Sequence, residues 1–223
     1  MPLYELTHDA LTPLLRTTMA QQDFRERDDL QRLLRTSIGV IDKNLLVLAE
    51  EFSQWEDSKR RIDLLALDKQ ANLVVIELKR TEDGGFMDLQ SIRYAAMVSA
   101  MTFQQAVYEH ARFLGDPANL ENAKLSILKF LEWDDPHEDF ASQVRIILTS
   151  ADFSIELTTA VLWLNENGLD NSLRSTAALR APGPHHTRCR ADYSASRSGR
   201  LHSSTKQETE RNWTGQAGKK MEQ

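Results

Sequence analysis

The chain has 223 residues, 41% of them hydrophobic, which suits one soluble domain with or without a tail. A single cysteine, Cys189, excludes an intramolecular disulfide, and no run of about 18 apolar residues is present to cross a membrane as a helix. The formal charge of −6 is unevenly spread: residues 171–223 hold ten Lys/Arg and four Asp/Glu (+6), leaving 17 bases against 29 acids (−12) before them, a balance that opposes simple electrostatic capture of a polyanion.

The opening MPLYELTHDALTPL carries acids early and lacks a continuous apolar core, so no secretory signal is expected and the cytoplasm is the default location. Residues 1–22 read as a strand or irregular arm. Residues 23–37 read as a helix, with Phe24, Leu30, Leu33 and Leu34 at helical spacing, Asp23 as N-cap and Gly39 as the stop. Residues 45–51, 61–68 and 73–79 read as strands, the last two joined by a hairpin turn at residues 69–72. The third is apolar on both faces, as a central strand covered by helices requires. A loop at residues 82–85 precedes one long helix over about residues 87–109, and a second helix covers about residues 120–131. Residues 144–149 are a fourth strand, followed by a helix over residues 154–165 that starts at Ser154 and stops at Gly168.

Composition changes abruptly after Asp170. Residues 171–223 contain no Val, Ile or Phe and only three leucines, too little apolar surface to offset the entropy of ordering. Two readings stand: a disordered basic tail, or residues translated out of frame, since the helix ending near Gly168 normally leads into another buried strand. The domain is therefore placed at residues 1–170 and the tail at 171–223.

Charge at the end of the third strand is the feature that carries chemistry. Leu73-Val74-Val75-Ile76 runs directly into Glu77-Leu78-Lys79. An unpaired buried charge costs several kcal/mol, so an apolar strand ending on an acid and a base calls for a cause. Glu77 and Lys79 are two apart and share a face of the strand. If residues 61–68 and 73–79 pair as a hairpin, Asp63 comes to lie beside both. Paired carboxylates suit a hard cation such as Mg2+ or Mn2+, and a neighbouring lysine can orient or deprotonate water or offset developing charge, the minimal equipment for phosphodiester hydrolysis. The bland alternative is a structural ion pair capping a sheet.

Asp63, thirteen intervening residues and Glu77-Leu78-Lys79 resemble the PD-(D/E)XK nuclease superfamily. The resemblance implies a restriction-endonuclease-like α/β core, a mixed sheet of four or more strands flanked by helices. It also implies Asp63 and Glu77 as ligands of a divalent metal, the Leu78 carbonyl as a further ligand, and Lys79 as base or charge stabiliser. Ile62 stands where the family often has Pro. Gln90 and Tyr94, four apart on the next helix, resemble the extra Gln-x-x-x-Tyr motif of the recombination-repair exonuclease branch, which lies beside the metal and contacts nucleic acid. The family's first-helix Glu is matched best by Glu26, with Asp28 and Asp29 as competitors and a solvated helix face as the bland reading.

The expected activity is thus a Mg2+-dependent deoxyribonuclease, endonuclease favoured over exonuclease. DNA is the partner, no membrane is involved and a homodimer is open. Basic patches at Lys59-Arg60-Arg61 and at Lys79-Arg80 with Arg93 would contact the nucleic acid. The alternatives are a catalytically silent binding module of the same fold and an RNA nuclease. Glu50 or Glu51, at the end of the first of the three strands, faces the same region, and alternation does not say which. Residues 134–139, with Asp134, His137 and Asp139, read as a solvated acidic loop, and His185, His186 and Cys189 lack a fourth metal ligand. No P-loop Lys and Ser/Thr pattern follows Gly84-Gly85.

Overall fold

In a computed structural model, the described residues are 3–6, 8–18, 21, 26–53, 61–79, 87–180 and 187–195. Three successive strands, β3 (Leu45–Phe52), β4 (Ile62–Asp68) and β5 (Leu73–Leu78), pair antiparallel with one another. β5 then pairs in parallel with β6 (Val144–Ser150), and β6 in parallel with β7 (Asp170–Arg180). Parallel neighbours need long crossovers. Here they are α2 (Met87–Val98), α3 (Phe103–Phe113) and α4 (Leu120–Leu131) between β5 and β6, and α5 (Ile155–Glu166) between β6 and β7. The result is a mixed α/β sheet flanked by helices, as the sequence implies. An N-terminal hairpin of β1 (Leu3–Leu6) and β2 (Leu11–Thr17) joins it through β7, and β8 (Thr187–Ala195) also runs along β7.

Every residue of β4 and β5 is buried, because helices cover both faces. Leu65, Leu67, Leu73 and Val75 pack with Tyr94, Val107, Ile127 and Val161 from α2 to α5. Leu64, Ala66, Val74 and Ile76 pack on the opposite face with Leu30, Leu34 and Ile41. That face is covered by a π-helical turn, Glu26–Gln31, continuing into α1 (Arg32–Thr36) and a 3-10 turn at Ile38–Val40.

Two expectations need correction. The long helix over residues 87–109 is two helices. Thr102 accepts a hydrogen bond from the Gln105 N–H, and the Gln105 side chain caps the Thr102 N–H in return, so a reciprocal box starts α3 afresh. The first helix is π-wound over Glu26–Gln31 rather than α throughout, while Asp23 lies outside the described residues. The tail expected from residue 171 contributes β7 and β8 to the sheet; residues 181–186 and 196–223, with His185 and His186, lie outside the described residues.

β7 is an unusual inner strand. Leu173 is buried in the core, but Asn171, Ser172 and Thr176 are buried too. Asn171 Nδ2, Ser172 Oγ and Thr176 Oγ1 have no hydrogen-bond partner.

The sheet's other end is fastened by charge. Arg145 on β6 donates to Asp68 Oδ2 at 2.8 Å and to Asp170 Oδ2 at 3.1 Å, with Asp42 Oδ2 at 4.0 Å. Burial alone would lower the Arg145 pKa, but the hydrogen bond to Asp68 and the three carboxylates together raise it. Asp68 also accepts the Gln70 and Asn72 N–H groups at 2.9 Å each, closing the β4–β5 turn, in which Ala71 has φ +60°.

Candidate active site

The β4–β5 register pairs Leu64 with Ile76. Continued by one residue, it sets Asp63 opposite Glu77, on one face of the sheet. Both are buried, Asp63 at 9% exposure and Glu77 at 1%. Asp63 Oδ2 accepts the Leu78 N–H at 2.8 Å, so the carboxylate of one strand is pinned to the backbone of its neighbour. Lys79 follows β5 directly and is half-buried. Its N–H donates to the Thr149 carbonyl at 2.8 Å, which extends the β5–β6 pairing past the end of the strand.

α2 completes the arrangement from above. Gln90 Nε2 donates to Glu77 Oε2 at 3.0 Å and to the Tyr94 phenolic oxygen at 3.2 Å. Tyr94 is 1% exposed. Burial raises its pKa, and the Glu77 carboxylate raises it further, so the phenol stays neutral and Gln90 works between an anion and a hydroxyl. Asp63, Glu77, Gln90 and Tyr94 are therefore brought together at one end of the inner strands β4 and β5. Arg93 lies on α2 between Gln90 and Tyr94 in sequence and is exposed.

Beyond this cluster the expectations are met unevenly. Glu26 opens the π-helical turn, but its side chain, like that of Asp28, is outside the described residues, as are Lys59, Arg60, Arg80, Gly84 and Gly85. Arg61 is engaged by Glu51 at 3.0 Å. The preceding strand's two glutamates diverge: Glu50 is held by Arg35, and Glu51 turns the backbone with φ +51° and reaches Arg61. The acidic loop is exposed, with His137 paired to Asp139 at 2.9 Å. Among the described residues no three His, Cys, Asp or Glu side chains are grouped to hold a metal.

Gln31 is the residue that sequence reasoning missed. It is 2% exposed, and its Nε2 reaches the Asp63 carbonyl at 3.2 Å and Glu50 Oε1 at 3.4 Å. A π turn advances about one residue further per turn than an α turn, which moves Gln31 to the sheet-facing side beside Leu30 and Leu34. Gln31 stands between Leu30 and Arg32, and no spacing in the sequence marks it.

The donors at the Asp63–Glu77 end of the strands are all oxygen: two carboxylates and the strand's own carbonyls. That set suits a hard divalent cation that keeps several waters and needs few protein ligands. It does not suit zinc, which favours nitrogen and sulfur.

No protein-family model matches the sequence, and no curated protein matches it. Among solved structures, the chain is similar to a repair endonuclease from Pyrococcus abyssi at 19% identity and a TM-score of 0.39, covering 69% of this chain and 48% of that one. It is also similar to EndoMS in complex with dsDNA at 16% identity and a TM-score of 0.34, covering 78% of this chain and 64% of that one. The chain thus spans about half of the first structure and under two thirds of the second.

Proposed function

We propose that the protein is a metal-dependent nuclease that hydrolyses phosphodiester bonds in DNA, with the restriction-endonuclease-like core that the Asp63, Glu77-x-Lys79 and Gln90-x-x-x-Tyr94 pattern implies. The observation that carries the reading is the joined set of Asp63 on Leu78 N–H and Glu77 on Gln90, at the strand ends where the sequence pattern requires them. Two carboxylates set opposite one another on one face offer the oxygen ligands that a hard divalent cation takes.

Asp63, Glu77 and the Leu78 carbonyl would hold Mg2+ or Mn2+. When bound, such an ion acidifies water and offsets charge gathering on the phosphorus-centred transition state. The chain's own residues do the rest. Leu78 N–H fixes the Asp63 carboxylate, and Gln90 fixes that of Glu77, so neither must reorganise during reaction. Lys79, tethered through its backbone to Thr149, takes or orients the water proton or neutralises the departing oxygen. Tyr94 keeps Gln90 in place from beneath.

The test is incubation of the protein with linear, nicked and single-stranded DNA, and with RNA, in Mg2+, Mn2+ or EDTA. Metal-dependent cleavage lost in Glu77→Ala and Lys79→Ala is the expected result. Cleavage that persists in those variants removes the site assignment, and tight binding without cleavage of any substrate replaces the nuclease with a silent binding module.

A further inference from the structure

We infer that Gln31 is a positioning residue for the metal-binding strand ends, acting through the backbone of Asp63; the inference rests on the nuclease reading above. The β3–β4 register pairs Glu50 with Leu64 and Phe52 with Ile62, which leaves Glu51 opposite Asp63. Glu51 has φ +51°, outside the extended region, so the regular ladder is interrupted at that place. The Asp63 carbonyl accepts a side-chain donor there, Gln31 Nε2 at 3.2 Å. Asp63 is consequently gripped twice, at its carbonyl by Gln31 and at its carboxylate by Leu78 N–H. Gln31 is itself anchored: the same amide nitrogen lies 3.4 Å from Glu50 Oε1, and Glu50 is paired with Arg35 one turn further along. A π-helical turn presents this amide, and such turns occur disproportionately at functional sites.

The choice of an amide over an acid has a chemical reason. Glu50 Oε1 already lies 3.4 Å from the position 31 amide, and the Asp63 backbone carbonyl beside it calls for a donor. An acid at position 31 would face Glu50 as a like charge and would offer the Asp63 carbonyl no proton when ionised, whereas the amide donates without adding charge. Residues that orient a ligand without touching the ion commonly change metal affinity or activity by about 10–100-fold when altered.

The experiment compares wild type with Gln31→Met, which keeps the buried volume, and Gln31→Glu, which keeps the shape but not the donor. Three readouts are taken: Mn2+ binding by calorimetry, hydrogen exchange of the Leu78 amide without metal, and metal-dependent DNA cleavage. Both variants are expected to bind Mn2+ about tenfold more weakly, to exchange the Leu78 amide faster and to lose kcat with DNA KM unchanged. If wild type binds Mn2+ and cleaves while both variants match it in all three readouts, the positioning role is overturned and the nuclease reading stands. A variant whose losses follow only a lowered Tm, with Leu78 exchange and Mn2+ affinity intact at a temperature where it is folded, also overturns the role. Wild type that neither binds Mn2+ nor cleaves overturns both.

A separate observation carries a second proposal. We propose that the chain from about residue 171 is translated out of its original frame. Before Asp170, orphaned buried polar atoms occur on α3 (Glu109, His110) and β6 (Thr149), whereas β7 gathers three within six residues. Asp170 fits the fold, its carboxylate meeting Arg145 at 3.1 Å. From the next residue on, β7 places Asn171, Ser172 and Thr176 in buried sites where their side-chain polar atoms find no partner. A strand buried between neighbours is ordinarily rich in Val, Ile and Leu, and each orphaned polar group costs about 1–3 kcal/mol. Reading the gene in its other two frames beyond codon 170 decides the matter. An open frame that places branched aliphatics at these three positions supports the proposal. Stop codons in both frames, or open frames without such a strand, overturn it.

Discussion

Asp63 on β4 and Leu78 on β5 are joined by a hydrogen bond of 2.8 Å from the backbone of one to the carboxylate of the other. The bond makes the acid part of the sheet rather than an appendage of it, and the opposing Glu77 inherits the same rigidity through Gln90. On the nuclease reading proposed above, both acids are held in place before substrate arrives.

Asp63→Asn and Glu77→Gln are therefore expected to lower kcat for metal-dependent DNA cleavage by about 10²–10³-fold, and EDTA to abolish it. Asp63→Asn keeps an acceptor for Leu78 N–H, so its far-UV circular dichroism and urea midpoint should remain close to wild type. Single-turnover kinetics under saturating Mg2+ check the first expectation.

Removing the Tyr94 hydroxyl by Tyr94→Phe leaves the ring packed and deprives Gln90 of one partner. A cost of about 1 kcal/mol in stability is expected, with a few-fold loss of cleavage. The raised Tyr94 pKa also has a sign: the folded state holds the phenolic proton more tightly than the unfolded one, so stability falls as pH rises from 10.0 upward. Tyr94→Phe should remove that alkaline decline, as measured by Tm against pH.

α3 places two titrating groups side by side with opposite effects. Burial lowers His110, whose Nε2 lies 3.1 Å from Ser126 Oγ, and raises Glu109, which is paired with Arg112 at 3.3 Å. Below 6.5 the unfolded state binds the histidine proton first, so His110 withdraws stability on acidification. Glu109 works the other way, since above 4.5 the folded state retains its proton longer and loses stability as pH rises. His110→Gln should flatten the rise of Tm with pH toward neutrality, and Glu109→Gln should steepen it.

Arg145→Met strands Asp68, whose side chain is 1% exposed, without its cation. A loss of about 3 kcal/mol is expected in urea unfolding at neutral pH. Asp170→Ala, which removes a 29% exposed partner, should cost under about 1 kcal/mol.

The sheet was readable because its strands are short apolar runs separated by turn residues, and the Asp63–Glu77 pairing follows from alternation once residues 62–68 and 73–78 form a hairpin. The Gln90–Tyr94 link was readable from the i,i+4 spacing on α2. Gln31 was not, because the change from 3.6-residue to π winding is set by packing on the sheet and leaves no periodic trace. The break between α2 and α3 was hidden by good helix formers on either side of Thr102, where one capping box outweighs propensity. β7 was hidden because polar residues, Asn171, Ser172 and Thr176, take its buried places, so it lacks the apolar run that marks a strand.

Asp63 and Glu77 meet through an antiparallel hairpin that is local in sequence, yet β5 reaches its other neighbour, β6, only after three helices have been threaded between them. Local hairpins close in microseconds, whereas distant parallel pairing is slow because the loop entropy must be lost first. The two acids are thus assembled early, while Lys79, whose backbone is tied to Thr149 of β6, and Gln90 on the intervening helix arrive only with the crossover. On the nuclease reading proposed above, the carboxylate pair would form before Lys79 is placed beside it. On that reading, competence to cut would come last, with completion of the fold.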